Sequence, residues 1–318
     1  MKKLILPLVV WCALVACNNQ QQKSDVTLTY QNPIIETYSA DPYVLYDNGY
    51  YYLITSHKAE DGDFLPLYKS KNLSEWEFVR GAVTQGDTTD WNFKNFWAPE
   101  IIKIEDVYYL YYTASPKDSP RNQYNRVGLA TAKNIEGPYT DHGVVIQHGS
   151  IDGHPFIDKD GQMYMYFTVE QLNSKGLQQG QIYVHKMKDP YTTDGEPIRL
   201  MDHFGWQEGA FIVPHNDEYW MTYSVGAWKN NTYHIRLAKA PSPTGPFSLI
   251  EKPLMVSNDI VYGPGHNSVF YDHKKNPWLV YHAWDTAYTS RTTRLDPLYW
   301  ENDTLKANEP TTQPTTIN

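Results

Sequence analysis

The chain has 318 residues and a formal net charge of −9, and 14% of its residues are aromatic, with 26 Tyr and 10 Trp. The negative charge and the lack of a Lys/Arg cluster exclude nucleic acid as a partner, and no apolar run of transmembrane length follows the N-terminal segment. The surplus of Tyr and Trp favours a β-rich fold, a surface that binds sugars or similar flat polar ligands, or both.

The N-terminal residues have the pattern of an export signal. Lys2 and Lys3 precede an apolar stretch that ends in Leu14-Val15-Ala16-Cys17, which is similar to the bacterial lipobox, where the cysteine is acylated after cleavage. We therefore expect a protein that is anchored at the cell envelope through a lipid on Cys17, its only contact with a membrane. The alternative is an ordinary secretory leader and a periplasmic or secreted protein. Because Cys12 lies within the leader, the mature chain is expected to form no internal disulfide.

An aromatic, strand-forming segment of six residues occurs five times. The copies begin at positions 50, 108, 163, 219 and 277, which are 58, 55, 56 and 58 residues apart. Each copy follows a short apolar strand and a polar turn, among which Asn48-Gly49 and Asp160-Gly161 are the strongest hairpin signals. A period near 55 residues with three or four strands, without long helical periodicity, is typical of propeller blades. The sequence therefore predicts an all-β fold, a single five-bladed β-propeller; two stacked sheets are the alternative.

The repeats also suggest how the chain is divided. The predicted parts are a signal peptide over residues 1–17 with the lipobox Cys17, a polar tether over 18–30, the propeller domain over 31–305 and a polar tail over 306–318.

Charged residues recur at the same phase of several repeats. Asp41 lies 9 residues ahead of its copy, and Asp152, Glu208 and His266 each lie 11 residues ahead of theirs. The first strand of a propeller blade runs beside the central channel, so residues at one phase of different blades meet at one mouth of that channel. A single Asp or Glu before Pro or Gly is more often a turn residue. Three carboxylates in register cost electrostatic energy unless chemistry requires them, and this set is predicted to be catalytic.

The motifs at these positions resemble those of glycoside hydrolase family 43, the arabinofuranosidase, xylosidase and arabinanase group. The resemblance covers residues 31–305. It is carried by Ser39-Ala40-Asp41-Pro42-Tyr43, Trp97-Ala98-Pro99-Glu100, Ser150-Ile151-Asp152-Gly153, Glu208-Gly209 and Gly263-Pro264-Gly265-His266-Asn267-Ser268. The Trp-Met-Asn-Asp-Pro and Glu-Cys motifs of the related invertase-like hydrolases do not occur in the sequence.

The resemblance implies an inverting glycoside hydrolase with three acids in different roles. Asp41 would be the general base that activates water, and Glu208 the general acid that protonates the leaving oxygen. Asp152 would raise the pKa of Glu208 and orient it, because a nearby carboxylate disfavours ionisation. Inversion implies that the carboxyl groups of Asp41 and Glu208 lie about 6.5–9.5 Å apart, with a water between them.

His266 corresponds to a position on the propeller axis where the family often binds a cation, commonly calcium, mostly through water. One imidazole is a poor calcium site, because calcium prefers oxygen ligands. The alternative is a histidine that only hydrogen-bonds Asp152 or an ordered water. No cofactor is otherwise required.

Several substrate contacts are also implied. Arg291 lies in a segment similar to a late strand of the family whose Arg reaches the pocket, and Arg294 is its rival. His154 stands where many relatives carry a smaller residue and is expected to narrow the pocket, whereas Glu100 is interpreted as a structural or hydrogen-bonding residue. Aromatic residues predicted to contact a sugar or line the rim, with core packing as the alternative, are Trp97, Trp206, Trp228 and Trp284.

The favoured activity is an α-L-arabinofuranosidase that acts on plant hemicellulose or pectin side chains. A β-xylosidase, an endo-arabinanase or a galactofuranosidase of the same family is the alternative, because loops such as 115–125 and 171–181 decide the substrate. A surface glycan-binding propeller without catalysis is the alternative of another class, and the intact set of acids argues against it. The expected partner is an oligo- or polysaccharide, and the expected state is a monomer.

Overall fold

The computed structural model describes residues 29–119, 124–172, 175, 177–202 and 205–317. The predicted signal peptide, its lipobox Cys17 and residues 18–28 of the predicted tether lie outside the described residues. The regular elements of the described part are all β-strands. This part of the chain contains no helix with the length and apolar character needed to span a bilayer.

Five four-stranded antiparallel sheets follow one another along the chain, and each keeps its strands in sequence order. A short strand, β1 (Thr29–Tyr30), precedes them. The first two blades contain β2 (Tyr43–Asp47), β3 (Tyr50–Ile54), β4 (Phe64–Ser70) and β5 (Glu77–Val83), then β6 (Lys94–Ile104), β7 (Val107–Ser115), β8 (Arg126–Ala132) and β9 (Thr140–Val144). The third contains β10 (Ile151–Ile157), β11 (Met163–Leu172), β12 (Gln178–Asp189) and β13 (Thr192–Arg199). The last two contain β14 (Gln207–His215), β15 (Glu218–Val225), β16 (His234–Ala240) and β17 (Ser248–Leu249), then β18 (Tyr262–Tyr271), β19 (Pro277–Trp284), β20 (Arg291–Glu301) and β21 (Thr304–Ala307).

The predicted five-bladed β-propeller is confirmed, and the alternative of two stacked sheets is wrong. Each repeated aromatic segment forms the second strand of its blade, in β3, β7, β11, β15 and β19. The first strands β2, β6, β10, β14 and β18 each contact the first strands of both neighbouring blades, and the ring closes between β18 and β2. The first strands therefore form the centre of the propeller, called the hub below. The acids recur in the repeats at positions in these strands or directly before them, so they lie at the hub.

The hydrophobic core lies between the blades. Successive residues of a strand point to opposite faces of its sheet, so neighbours in sequence pack against different blades. In β7, Leu110 packs with residues of the first blade and Tyr111 with residues of the third. In β11, Met165 packs with the second blade and Tyr166 with the fourth. A blade that is buried on both faces needs an almost continuous apolar run, which is what the repeated segments supply.

Many tyrosines join neighbouring blades through their hydroxyl groups. Tyr108 donates to Asp47 Oδ2 at 2.7 Å, in the hairpin turn of the preceding blade. Tyr166 donates to the backbone oxygen of Pro243 at 2.6 Å, in the following blade. Similar hydrogen bonds join Tyr219 to Asp158 and Tyr111 to Pro190. Part of the tyrosine surplus therefore stabilises the fold and does not contact a ligand.

The two ends of the described part of the chain pair with each other. Strand β1 pairs with β22 (Thr315–Thr316), and both Tyr30 and Ile317 pack in the core between the fifth and first blades. The ordered structure thus extends beyond both ends of the predicted domain, residues 31–305. The described part of the predicted tail is docked on the propeller, because its β-branched residues can pair as a strand although its composition is polar.

A buried acid in the fifth blade makes the stability depend on pH. Asp296 is 1% exposed and accepts a hydrogen bond from Tyr281 Oη at 2.7 Å, and burial raises its pKa from 3.8 to about 7. Because the folded-state pKa is the higher one, the stability that the protonated group contributes is full below pH 3.8 and is lost as the pH rises through 7. Asp296→Asn removes this loss, so thermal unfolding at pH 8 should give a melting temperature about 2–8 °C above wild type, with little difference at pH 4.

The exposed acid Asp202 provides the control for this prediction, since its side chain is 96% exposed. Asp202→Asn should change the melting temperature by similar small amounts at both pH values. A melting temperature of Asp296→Asn that falls further below wild type at pH 8 than at pH 4 would contradict the argument.

Candidate active site

The hub strands begin with irregular backbone at the predicted site. Residues at corresponding points of the five blades have a left-handed φ: Asp41 (52°), Ala98 (43°), Asp152 (60°), Gly209 (59°) and His266 (44°). The pairing of the first and second strands shifts register at these motifs in the second to fifth blades. Bulges re-aim side chains, and left-handed backbone at a residue other than glycine is strained and persists only where the surroundings hold it.

Side chains at the ends of the second strands hold this strained backbone in place. In each case the acceptor belongs to the preceding blade. The backbone N–H groups and their acceptors are Ala98 with Ser56 Oγ (2.8 Å), Asp152 with Thr113 Oγ1 (3.0 Å) and His266 with Ser224 Oγ (2.7 Å). His282 takes this place in the fifth blade, where its Nδ1 accepts the N–H of Asp41 at 3.1 Å. Neighbouring blades therefore position one another's site residues.

Asp41 is held from both its backbone and its carboxylate. Ser56 Oγ donates to Asp41 Oδ2 at 2.5 Å while His282 accepts the backbone N–H. Because His282 Nδ1 is an acceptor, its ring is neutral with the proton on Nε2. Burial and the charge of Arg291 lower the pKa of His282 to about 3, which keeps it neutral. Asp41 Oδ1 lies 3.2 Å from His282 Nδ1, 3.5 Å from His266 Nδ1 and 3.9 Å from Arg291 Nη1.

The three acids are deeply placed, with exposed fractions of 9% for Asp41, 7% for Asp152 and 6% for Glu208. Burial opposes the ionisation of Asp41, but the charges of His266 and Arg291 outweigh it and hold its pKa well below the usual range. Burial raises the pKa of Asp152 well above its usual value, and the charge of Glu208 adds to this effect against the opposing His266. Burial also raises the pKa of Glu208. The site thus combines an Asp41 whose ionised form is favoured with a pair of carboxyl groups, Asp152 and Glu208, whose protonated forms are favoured.

His266 lies between the acids. Its Nδ1 is 3.5 Å from Asp41 Oδ1 and 3.9 Å from Asp152 Oδ2. Burial lowers the pKa of the ring, but the surrounding carboxylates outweigh burial and raise it, which favours the imidazolium form whose charge offsets theirs. Gly209 permits this close approach, because a β-carbon there would lie 3.3 Å from the His266 ring.

The residues around the axis do not fit a calcium ion that His266 binds directly. Both nitrogens of an imidazolium are hydrogen-bond donors, and calcium prefers oxygen ligands. Among the described residues, no group of three or more His, Cys, Asp or Glu side chains is arranged to hold a metal ion. Calcium bound through water at the axis stays a prediction.

Arg291 reaches the site from β20 and is enclosed by aromatic rings. Its Nη1 is 3.9 Å from Asp41 Oδ1, and its Nε and Nη2 donate to Tyr38 Oη at 3.1 and 2.8 Å. Its Cζ lies 4.6 Å from the ring centre of Trp228 and 5.9 Å from that of Trp284. Cation–π contacts of this kind hold a guanidinium in one orientation. The wall beside Asp41 therefore presents one oriented cation and three aromatic side chains, of which Tyr38 is 43% exposed.

The other predicted contacts are distributed differently. Trp97 is half-buried next to Ala98 at the hub, and Trp206 is half-buried close enough to Glu208 to lower its pKa. Arg294, the rival of Arg291, is buried and lowers the pKa of Asp296 in the core of the fifth blade. The structure thus brings Arg291, and not Arg294, to the acids.

His154 lies in a different environment from the one expected. Its Nδ1 is 2.7 Å from Glu100 Oε2, and its Nε2 accepts the backbone N–H of Ile212 at 3.1 Å. Its ring packs on Phe211, with 4.2 Å between ring centres, and the residue is 4% exposed. Both ring nitrogens are thus engaged in joining the second, third and fourth blades. These contacts agree with a hydrogen-bonding role for Glu100 and give no support to the predicted substrate contact by His154.

Sequence reasoning missed several residues that shape the site. Three of the acceptors had a signal, because the sixth residue of the repeated segments is a hydroxyl or imidazole residue in every copy and supplies Thr113, Ser224 and His282. In the first blade the acceptor is instead the next residue, Ser56. Tyr38 and Tyr233 had none, since they lie outside the repeats. Tyr233 donates to Glu208 Oε1 at 2.5 Å.

Comparisons with known proteins agree with this geometry. The sequence model described as Glycosyl hydrolases family 43 matches residues 30–305. A β-D-galactofuranosidase of Aspergillus niger is 27% identical over 296 aligned positions that cover 85% of this chain and 82% of the relative. An extracellular endo-α-(1→5)-L-arabinanase of Bacillus subtilis is 26% identical, with 80% of this chain and 66% of the relative covered. The crystal structure of a thermostable family-43 glycoside hydrolase superposes with a TM-score of 0.81 at 31% identity, covering 90% of this chain and 98% of that chain.

Proposed function

Because the chain belongs to glycosyl hydrolases family 43 and is a glycosidase, we propose that it is an inverting α-L-arabinofuranosidase in which Asp41 and Glu208 carry the chemistry. Asp41 takes a proton from the attacking water as general base. Glu208 protonates the leaving oxygen as general acid, and Asp152 keeps Glu208 protonated. Protonation and attack occur on opposite faces of the sugar, so the configuration at the anomeric carbon inverts.

The observation that supports this proposal is that the pKa values of Asp41 and Glu208 are shifted in opposite directions in the same site. The pKa of Asp41 is held well below its usual range by His266 and Arg291, so Asp41 is ionised and can accept a proton. The pKa of Glu208 is raised by burial, which favours the protonated form that a proton donor needs. Carboxyl groups whose environments separate their pKa values in this way are suited to base and acid roles. A glycan-binding propeller would have no use for this separation.

Two observations support an arabinofuranoside as the substrate. The two relatives above are named for a galactofuranoside and for arabinan, and both of these contain sugars in five-membered rings. The acids are 6–9% exposed, and a chain end or a short branch reaches such recessed groups more easily than the middle of a chain does. The same depth favours exo action over the endo action for which the Bacillus relative is named.

We also propose that the protein is exported. The relative from Bacillus subtilis is named as extracellular, and Lys2, Lys3 and the apolar stretch before Cys17 have the pattern of an export signal. Acylation of Cys17 would keep the enzyme at the cell envelope, where oligosaccharides released outside the cell arrive. Labelling of expressing cells with a radioactive fatty acid, with Cys17→Ser as control, distinguishes the anchored form from a freely secreted one.

The function is tested by a substrate panel and by the stereochemistry of the product. Wild type is assayed on 4-nitrophenyl α-L-arabinofuranoside, β-D-xyloside and β-D-galactofuranoside and on linear and branched arabinan. Cleavage of the arabinofuranoside and release of single arabinose units from arabinan are expected, and NMR of the fresh product should show the inverted anomer. A retained anomer would overturn the role of Asp41 as base, and preference for the xyloside or galactofuranoside would overturn the sugar.

Asp152→Asn should move the pH profile of kcat/KM toward acid. The charge of Glu208 raises the pKa of Asp152, and since repulsion between two carboxylates acts on both, we expect removal of the Asp152 carboxylate to lower the pKa of Glu208. The alkaline limb, which reports loss of the proton from the general acid, should therefore shift to lower pH by about 1 unit or more. Activity at pH 7 should fall further than activity at pH 5. An alkaline limb that stays in place or moves to higher pH would contradict the assigned role of Asp152.

A further inference from the structure

Tyr233 is a fully buried tyrosine directly behind the proposed general acid. It precedes β16, at the end of the loop that follows β15, and its exposed fraction is 0%. Its hydroxyl donates to Glu208 Oε1 at 2.5 Å. Burial and the charge of Glu208 raise the pKa of Tyr233 well above its usual value, so the hydroxyl remains a donor at every pH at which the enzyme would work.

The ring of Tyr233 is held on two sides. Gly265, in the motif of the fifth blade, lies so close that a β-carbon there would overlap the Tyr233 ring. The ring also stacks on His282, with 5.7 Å between ring centres and 5° between the planes. His282 in turn accepts the backbone N–H of Asp41. Tyr233 and His282 are thus packed against each other, and Tyr233 contacts the proposed acid Glu208 while His282 contacts the proposed base Asp41.

The loop that carries Tyr233 is braced by its own side chains. Asn230 Oδ1 accepts from the backbone N–H of Thr232 at 2.9 Å, and Thr232 Oγ1 accepts the N–H of Ala227 at 3.2 Å. The backbone oxygen of Asn230 also accepts the N–H of Tyr233 at 3.3 Å. The hydroxyl therefore has little freedom to leave Glu208.

A protonated carboxyl group carries its proton on one oxygen only. An oxygen that already accepts a strong hydrogen bond is the carbonyl-like oxygen of the group, so the proton is placed on the other one. With Tyr233 donating to Oε1, the acidic proton of Glu208 belongs on Oε2. The same hydrogen bond stabilises the carboxylate that remains after the proton has been given away.

We propose that Tyr233 is a positioning residue for the general acid: it occupies Oε1 of Glu208, so that Oε2 is the oxygen that protonates the leaving group. Gly265 has no side chain because the Tyr233 ring occupies the space of its β-carbon. This inference rests on the proposed function, in which Glu208 is the acid. It explains a tyrosine and a glycine that the roles of the three acids leave unaccounted for.

Leaving-group dependence tests the proposal. Tyr233→Phe retains the ring between Gly265 and His282 and removes only the hydroxyl. The two substrates are a 2,4-dinitrophenyl glycoside and a methyl glycoside of the sugar that the wild type prefers in the panel. The dinitrophenolate leaving group departs with little help from an acid, whereas the methoxy group has to be protonated. For Tyr233→Phe, kcat/KM should fall about 10-fold or more on the methyl glycoside and less than about 3-fold on the dinitrophenyl glycoside. The alkaline limb of the pH profile should move to higher pH, because the carboxylate has lost its donor.

Three further variants separate the possible outcomes. Tyr166→Phe, which loses a hydroxyl contact to Pro243 in another part of the core, should treat both substrates as wild type does. Gly265→Ala, which displaces the Tyr233 ring, should reproduce the selective loss on the methyl glycoside, with thermal unfolding as the check of its fold. Equal losses on both substrates for Tyr233→Phe, or an unmoved alkaline limb, would overturn the proposal. Glu208→Gln should show the strongest leaving-group dependence. Its absence there would refute Glu208 as the acid, and with it the premise of this inference, whereas its presence together with equal losses for Tyr233→Phe would overturn the inference alone.

Discussion

Asp41→Ala is expected to lower kcat by a factor on the order of 10²–10⁴, with a small change in KM. Two features of Asp41 support its proposed role as general base, and the first is that His266 and Arg291 hold its pKa well below the usual range, which favours the ionised carboxylate. Its orientation is set by Ser56 Oγ on Oδ2 and by His282 on its backbone N–H. Removal of the carboxylate leaves the attacking water without a proton acceptor, which affects the chemical step and not binding.

Azide provides a direct check of this prediction. In Asp41→Ala the space of the carboxylate can admit a small anion, which needs no general base to attack the anomeric carbon. Azide should restore activity on a 4-nitrophenyl glycoside and give a glycosyl azide of inverted configuration, observed by NMR. Asp158→Ala, which removes an acid that accepts a hydrogen bond from Tyr219 away from the hub, should reduce stability without a comparable loss of kcat. A glycosyl azide of retained configuration would mean that Asp41 does not act on the face of the sugar opposite the leaving group, and would contradict its assignment as the base.

The sequence allowed the fold and the meeting of the acids to be predicted because both depend on periodicity. Propeller blades repeat, so residues at one phase share one place, and Asp41, Asp152, Glu208 and His266 required no knowledge of side-chain directions. The chain ends and the hairpin of the third blade were interpreted from composition, which was less informative. Polar residues of the segment 171–181 suggested a loop, whereas β11 extends to Leu172 and β12 begins at Gln178.

Side-chain direction is what the sequence did not reveal. His154 follows Asp152 by two residues, and its proximity in sequence suggested a pocket residue. The register shift between Ile151 and His154 changes the alternation, and the ring of His154 lies between Glu100 and the backbone N–H of Ile212. A bulge of this kind has no signal in a single sequence, since it depends on the neighbouring strand.

Site residues outside the repeats could not be identified from the sequence either. Tyr233 lies in a loop and contacts Glu208 only because the first strand of the next blade has Gly265 at the point of closest approach. Arg291 and Arg294 occupy one strand, and the aromatic side chains that select Arg291 come from different parts of the chain. Such contacts arise when five separate sheets close into a ring, and they have no local pattern.

Glu208→Ala is expected to lower kcat on arabino-oligosaccharides by a factor on the order of 10²–10⁴ and to remove the alkaline limb of the pH profile. Burial raises the pKa of Glu208, so in wild type the limb marks the pH at which the acid loses its proton. Without that carboxyl group the leaving oxygen departs unprotonated at every pH. The profile of kcat/KM should then keep its acid limb, which reports protonation of Asp41, and stay level above it.

Glu100→Gln is the matched control for this variant, because Glu100 also belongs to a hub motif but contacts His154 at 2.7 Å. It should retain both limbs and most of the activity, whatever it costs in stability. If Glu208→Ala retained the alkaline limb, the proton would come from another group. Asp152 would then be the first candidate, because burial, which the substitution at position 208 does not remove, is the first cause that raises its pKa well above the usual value. The double variant Asp152→Asn with Glu208→Ala separates these cases. If the alkaline limb survives in Glu208→Ala but disappears in the double variant, the proton came from Asp152; if it survives in both, the proton came from another group.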